Sequence, residues 1–206
     1  PADDPAYGLG DYARLVVEAI GDRTGGPVVL VAQSMGAFVA PLVAQRTPVA
    51  RIDLVCPMIP AAGESAAEWW AATGQTDAYA AYAEELGRQA DAPFDLRWGF
   101  FHDVPPEVVE RIMAAGERHQ SDTPFEEPWP LDAWPDVPTR VLAGRLDRLF
   151  PLPFLRRLAR ERLGIEPDVI DTGHLPALAR PQELAAWIVA SPTPAPAPAQ
   201  RGQASA

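Results

Sequence analysis

The sequence predicts an α/β fold: a mostly parallel sheet sandwiched between helical layers in three layers, with a helical cap insertion between two strands. Three observations carry this reading. Apolar, β-branched runs of strand length recur along the chain, amphipathic helix-like stretches lie between them, and Gly and Pro mark many of the switches. The clearest strand is "VVLVA" (28–32), whose continuous apolar run is the pattern of a strand buried on both faces of a parallel sheet. Strands that alternate with helices build βαβ units, and ligands in such sheets bind at the carboxyl ends of the strands.

The elements follow in order. "DYARLVVEAIG" (11–21) puts Tyr12, Leu15, Val16, Ala19 and Ile20 on one helical face, with Gly21 as the stop. After the breaker "GDRTGGP" and the strand 28–32, residues 34–46 read as a helix despite Pro41. "RIDLVC" (51–56) and "TRVLAG" (139–144) read as strands, "FLRRLARERLG" (154–164) as a strongly amphipathic helix and "EPDVID" (166–171) as a short strand. "PQELAAWIVA" (181–190) opens a last helix on a proline, which is favoured in the first turn. The segment 60–137 breaks the rhythm, with helix-like pieces at 78–90 and 105–116 and five of the six tryptophans. It reads as a helical cap over the strand ends, or as a satellite core that the tryptophans fill. The expected division is therefore a core of 1–59 with 138–190, a cap of 60–137, and a disordered Pro/Ala-rich tail, "SPTPAPAPAQRGQASA" (191–206).

Totals bound the function. With 206 residues the chain suits one domain with a sizeable core. A net charge of −11 disfavours nucleic acid as a partner, because no basic stretch could neutralise a row of phosphates. No apolar run approaches the roughly 20 residues of a spanning helix, so no membrane partner is expected. A single cysteine, Cys56, excludes an internal disulfide and any Cys-based zinc motif; it reads as a small buried apolar residue, and the expected compartment is the cytoplasm. Metal and cofactor are both expected to be absent. The histidines are scattered, and "RTGGP" lacks the Lys-Ser/Thr of a phosphate loop.

The chemistry concentrates at Ser34. In "VLVAQSMGAF" a strand gives way to a helix across a serine flanked two positions away by Ala32 and Gly36, as the crowding of a tight strand-to-helix turn requires. Taken alone, the serine could equally cap the following helix. A serine hydroxyl becomes a nucleophile only beside a base, and the base needs an orienting acid. His174, in the loop after the last strand, is placed at the carboxyl edge; His102 and His119 fall inside the insertion. Asp147, in the loop beyond 139–144, is the candidate acid, with Asp171 as runner-up. Flanked by Arg145 and Arg148, Asp147 could also be part of a solvated charge cluster.

Three segments, "VLVAQSMGAF", "VLAGRLDRLFP" and "DTGHLPALARPQEL", together resemble the α/β-hydrolase superfamily, and its small-esterase branch of plant methylesterases, hydroxynitrile lyases and bacterial relatives. The resemblance implies nucleophile Ser34, base His174 and acid Asp147, in that family's order, with the backbone N–H of Met35 as oxyanion donor. It implies cleavage of a small carboxylic ester or amide through an acyl-enzyme, with lyase-type chemistry on the same triad or an inactive small-molecule binder as alternatives. Trp69, Trp70, Trp98 and Phe101 are the candidate pocket lining. Family members carry further strands before the elbow and an H-G type loop with the second oxyanion donor. Here "PADDPAYG" opens like the middle of a loop, so the expectation is an α/β-hydrolase fold lacking its first strands. An apolar strand edge left unpaired in this way would favour a homodimer.

Overall fold

A computed structural model describes residues 6–21, 26–89, 92–116 and 120–190. The expected tail 191–206 and His119 lie outside the described residues. Four strands, β1 (Val29–Gln33), β2 (Arg51–Val55), β3 (Thr139–Gly144) and β4 (Asp168–Ile170), pair in parallel in the order β1-β2-β3-β4. In chain order the helices are α1 (Leu9–Ile20), α2 (Gly36–Ala44), α3 (Ala66–Thr73), α4 (Gln75–Glu85), α5 (Leu96–Phe100), α6 (Pro106–Ala115), α7 (Thr123–Glu126), α8 (Leu152–Leu163), α9 (Pro176–Ala179) and α10 (Pro181–Val189).

Register decides which side chains share a face. Ala32 lies opposite Leu54 and Leu54 opposite Val141, so Leu30, Ala32, Ile52, Leu54, Val141 and Ala143 line one face. They form one core cluster with Leu9 and Ala13 of α1, Phe38 and Val43 of α2, and Leu155 and Leu158 of α8. Helix α2 is buried at Ala37, Phe38, Ala40, Pro41, Leu42 and Val43, as a helix apolar on nearly every side must be. The other face carries Val55, Leu142 and Ile170, against which Leu184, Trp187 and Ile188 of α10 pack. The result is three layers.

Val31 corrects the expectation that β1 is buried on both faces: it is 47% exposed. It shares its face with Asp53 and Arg140, but sits on the edge strand at the opposite side of the sheet from β4, beyond the cover of α10. Asp53 itself is fully buried and held by both guanidinium groups, Arg51 Nε at 2.7 Å and Arg140 Nη2 at 2.8 Å. The same arginines donate to the carbonyls of Ile188 and Trp187, so this charge cluster fastens the C-terminal end of α10 to the sheet. Burial works to raise the Asp53 pKa, yet the Arg140 and Arg51 hydrogen bonds outweigh it and hold the carboxyl below its ordinary value.

Helices α3 to α7 occupy the crossover from β2 to β3. Ser65 and Glu68 cap α3 reciprocally, Ser65 Oγ accepting from Glu68 N at 3.1 Å and Glu68 Oε2 from Ser65 N at 3.0 Å. Two tryptophans anchor this segment to the core through their indole N–H groups, Trp69 to the Ile59 carbonyl at 2.9 Å and Trp129 to the Phe38 carbonyl at 3.1 Å.

Candidate functional site

The site is built at the carboxyl ends of the strands. Ser34 directly follows β1 with φ 51°, and Cys56 directly follows β2 with φ 44°; these are the non-glycine residues at positive φ among the described residues. A β-carbon in this region is crowded, so surrounding structure must hold it there. Around Ser34 it does. Its N–H donates to Val55 O at 3.0 Å, and its carbonyl accepts from Met58 N at 3.0 Å and Ala37 N at 3.1 Å. A Cβ added at Gly36 would meet Ala32 Cβ at 3.5 Å, so the turn has room for methyl groups at these two positions and little more. Met35, next in the chain, caps α2 at its N-terminal end.

Asp147 and His174 come from different loops and meet in the interior. Asp147 is fully buried and His174 is 1% exposed, with His174 Nδ1 2.8 Å from Asp147 Oδ2. The other carboxylate oxygen, Oδ1, accepts the backbone N–H groups of Leu149 and Phe150, both at 2.9 Å. These two donors and the imidazole together fix one carboxylate rotamer. Asp147 is no solvated charge cluster: its neighbours turn away, Arg145 to Asp171 and Arg148 to the Trp98 ring, 4.8 Å from its centroid. Asp171, 71% exposed in that pair, is not beside the histidine ring.

The two loops can approach because Gly144 has no side chain. A Cβ there would lie 2.5 Å from Thr172 O and 2.6 Å from Gly173 O. The imidazole is gripped edge-on by Phe150, centroids 4.9 Å apart, and by Phe100 of α5 at 5.2 Å. Gln33, the residue before Ser34, donates its side-chain N–H to the His174 carbonyl at 2.8 Å and so links the elbow to the histidine loop. His174 Nε2, the nitrogen turned away from Asp147, is buried and without a hydrogen-bond partner.

Cys56 completes the interior of the site. Burial, and the negative charge of Asp147 beside it, push its thiol well above the ordinary range. One potential ligand atom from each of Cys56, Asp147 and His174 lies within 4.8 Å of the others. Within this group the imidazole Nδ1 is already bonded to the Asp147 carboxylate.

The aromatic candidates separate. Trp69 is fully buried, packed against Phe150 at 5.2 Å and Phe154 at 5.8 Å, and so is core rather than an open pocket wall. Trp70 stands edge-on to Trp69 and reaches Phe150 at 6.1 Å. Trp98 carries the guanidinium groups of Arg88 and Arg148 over its ring, 4.6 and 4.8 Å from the centroid. Phe101 packs in a small cluster with Val104, Val109 and Ala179. A cavity of about 210 Å³ opens instead beside Met35, lined by Tyr12, Val39 and Phe125 on one hand and by Gln120, Ser121 and Asp122 on the other. Reading the sequence missed Phe100, Phe150 and Gln33 around the histidine. Phe150 and Gln33 stand within the quoted motifs, whereas Phe100 depends on how the insertion folds.

The alpha/beta hydrolase family model matches residues 1–187. No curated protein matches the sequence significantly. Among solved structures, a pyrethroid hydrolase from Sphingobium faniae JZ-2 superposes with a TM-score of 0.62 at 21% identity, over 89% of this chain and 77% of that one. An extracellular alpha/beta-hydrolase from a Paenibacillus species, described as sharing structural and functional homology with tobacco salicylic acid binding protein 2, gives 0.68 at 18% identity, over 90% and 80%. Polyneuridine aldehyde esterase gives 0.59 at 15% identity, over 88% and 78%. With a family model matched over nearly its whole length, on a parallel sheet whose strand ends carry the elbow and the buried Asp–His pair, the chain belongs to the alpha/beta hydrolase family.

Proposed function

We propose that the protein is a serine hydrolase that cleaves a small carboxylic ester through an acyl-enzyme at Ser34. The observation that carries this reading is the buried Asp147–His174 pair, with the unpartnered Nε2 of His174 at the same sheet edge as Ser34. In the reaction His174 Nε2 takes the Ser34 hydroxyl proton as Oγ attacks the ester carbonyl carbon. Asp147 holds Nδ1 protonated, which leaves Nε2 as the acceptor, and stabilises the imidazolium that forms. The tetrahedral oxyanion is met by the Met35 backbone N–H at the N-terminal end of α2, where the helix dipole favours negative charge. As the C–O bond breaks, the imidazolium returns its proton to the leaving alkoxide. Water activated by the same nitrogen then releases the carboxylic acid and frees Ser34.

In this reading the insertion between β2 and β3 serves as a cap, since Phe100 reaches from it to the imidazole. Two structural neighbours, a pyrethroid hydrolase and an esterase, support ester over amide. The cavity beside Met35, apolar at Val39, Pro124 and Phe125 and polar at Gln120, Ser121 and Asp122, would receive a short substrate group. The test is a fluorophosphonate probe together with a p-nitrophenyl butyrate assay. Wild type should label and turn over, and Ser34→Ala should do neither. An unlabelled wild type, or labelling that survives Ser34→Ala, overturns the proposal.

A further inference from the structure

The adjacent residues His102 and Asp103, in the loop that follows α5, lie on both loops of the Asp147–His174 pair, and neither has a part in the chemistry above. Asp103 Oδ2 accepts two hydrogen bonds, from Thr172 Oγ1 at 2.8 Å and from Gly173 N at 2.6 Å. Gly173 immediately precedes His174. Leu146, which immediately precedes Asp147, donates its N–H to Thr172 O at 3.1 Å, so the threonine that Asp103 holds also ties the two loops together.

The packing here is tight and leaves two polar atoms without partners. A Cβ on Gly173 would stand 2.7 Å from both Asp103 Oδ1 and His102 Nε2, so any side chain there would displace the pair. Both of those atoms are buried without a hydrogen-bond partner, 4.0 Å apart. A carboxylate kept 12% exposed with one oxygen unused is a cost that the sheet itself does not require. Thr172, the donor it captures, is fully buried.

We propose that Asp103 is a positioning residue for His174. By fixing Thr172 and Gly173 from the insertion, it sets where the imidazole stands relative to Asp147. The role belongs to one acceptor oxygen and not to the charge, because a single oxygen takes both bonds. Asp103→Asn can present an amide oxygen at that point, whereas Asp103→Ala presents nothing.

The inference rests on the serine hydrolase reading for its kinetic arm, and the experiment keeps the two separable. The downfield proton resonance of the His174 Nδ1–H is recorded alongside kcat and KM for p-nitrophenyl butyrate and the thermal midpoint. Asp103→Ala should lose or broaden the resonance and lower kcat by about 30- to 100-fold with KM within about threefold, as for a catalytic group displaced by an ångström. Asp103→Asn should restore both readouts to within a few-fold of wild type. If Asp103→Ala does not fold, Thr172→Val, which removes one donor at nearly constant shape, takes its place and should shift the same resonance. The proposal fails if the removal of the acceptor or the donor leaves resonance and kcat unchanged, or if Asp103→Asn falls as far as Asp103→Ala. An unlabelled, inactive wild type would sink the hydrolase reading alone, and the resonance would still judge the clamp.

Discussion

At the scale of single residues, the site works through hydrogen-bond directions that admit one arrangement. Asp147 Oδ1 is held by the N–H groups of Leu149 and Phe150, which leaves Oδ2 for His174. In Asp147→Asn the amide oxygen would stay with those two donors and the NH₂ would face Nδ1. The imidazole would then carry its proton on Nε2, where it cannot accept from Ser34. The expected result is an intact fold with kcat reduced roughly ten-thousand-fold and KM little changed, measured by steady-state kinetics. A loss under tenfold would mean that Asp147 does not set the tautomer. Serine, aspartate and histidine were legible in the sequence because each occupies a loop after a predicted strand, and parallel strands deliver all such loops to one edge. The positive φ of Ser34 was legible only as crowding by Ala32 and Gly36.

At the scale of elements, the approach of the loops after β3 and β4 is the critical contact. Gly144 ends β3, and the carbonyls of Thr172 and Gly173 occupy the space a methyl would need. Gly144→Ala must therefore push backbone, not a flexible side chain, and should cost about 3 kcal/mol. For a chain of this size that lowers the thermal midpoint by roughly 6–12 °C. Activity should fall further than stability alone explains, because the displaced carbonyls immediately precede His174. A variant with wild-type melting and turnover would refute the close approach. The strand 139–144 matches its prediction at both ends because Pro138 and Gly144 bound it, whereas the predicted 166–171 shrinks to Asp168–Ile170. Pro167 has no N–H to give to a ladder, which delays that strand's start.

At the scale of the whole molecule, Asp53 joins strands β2 and β3 to the last helix through Arg51 and Arg140. Asp53→Ala would leave two nearly buried guanidinium groups without a counter-charge and should cost about 3–5 kcal/mol. The pH dependence has a definite sign. The carboxyl is held below its ordinary value of 3.8 in the folded protein, so its stabilisation is fully present above that value. It is lost as pH falls through the lower, folded value. Thermal melts of wild type and Asp53→Asn should therefore differ most at neutral pH and converge as pH drops below about 4. A difference that stays constant down to pH 3 would contradict this account.

The sequence by itself determined the alternation of strands and helices, the parallel sheet, and the edge on which the loops of Ser34, Asp147 and His174 lie. These follow from local periodicity and from the rule that successive parallel strands point their carboxyl ends the same way. The tertiary structure alone decided what surrounds them. Trp69 went to the core because its indole N–H found the Ile59 carbonyl and its ring found Phe150 and Phe154. Phe100 and Asp103 came to the histidine loop from about 70 residues away in sequence, through an insertion whose path no period encodes. Val31 stayed exposed because sheet position, not its own hydrophobicity, sets how far α10 reaches. Local pattern fixes elements, but long-range contacts are chosen by the packing of the whole chain.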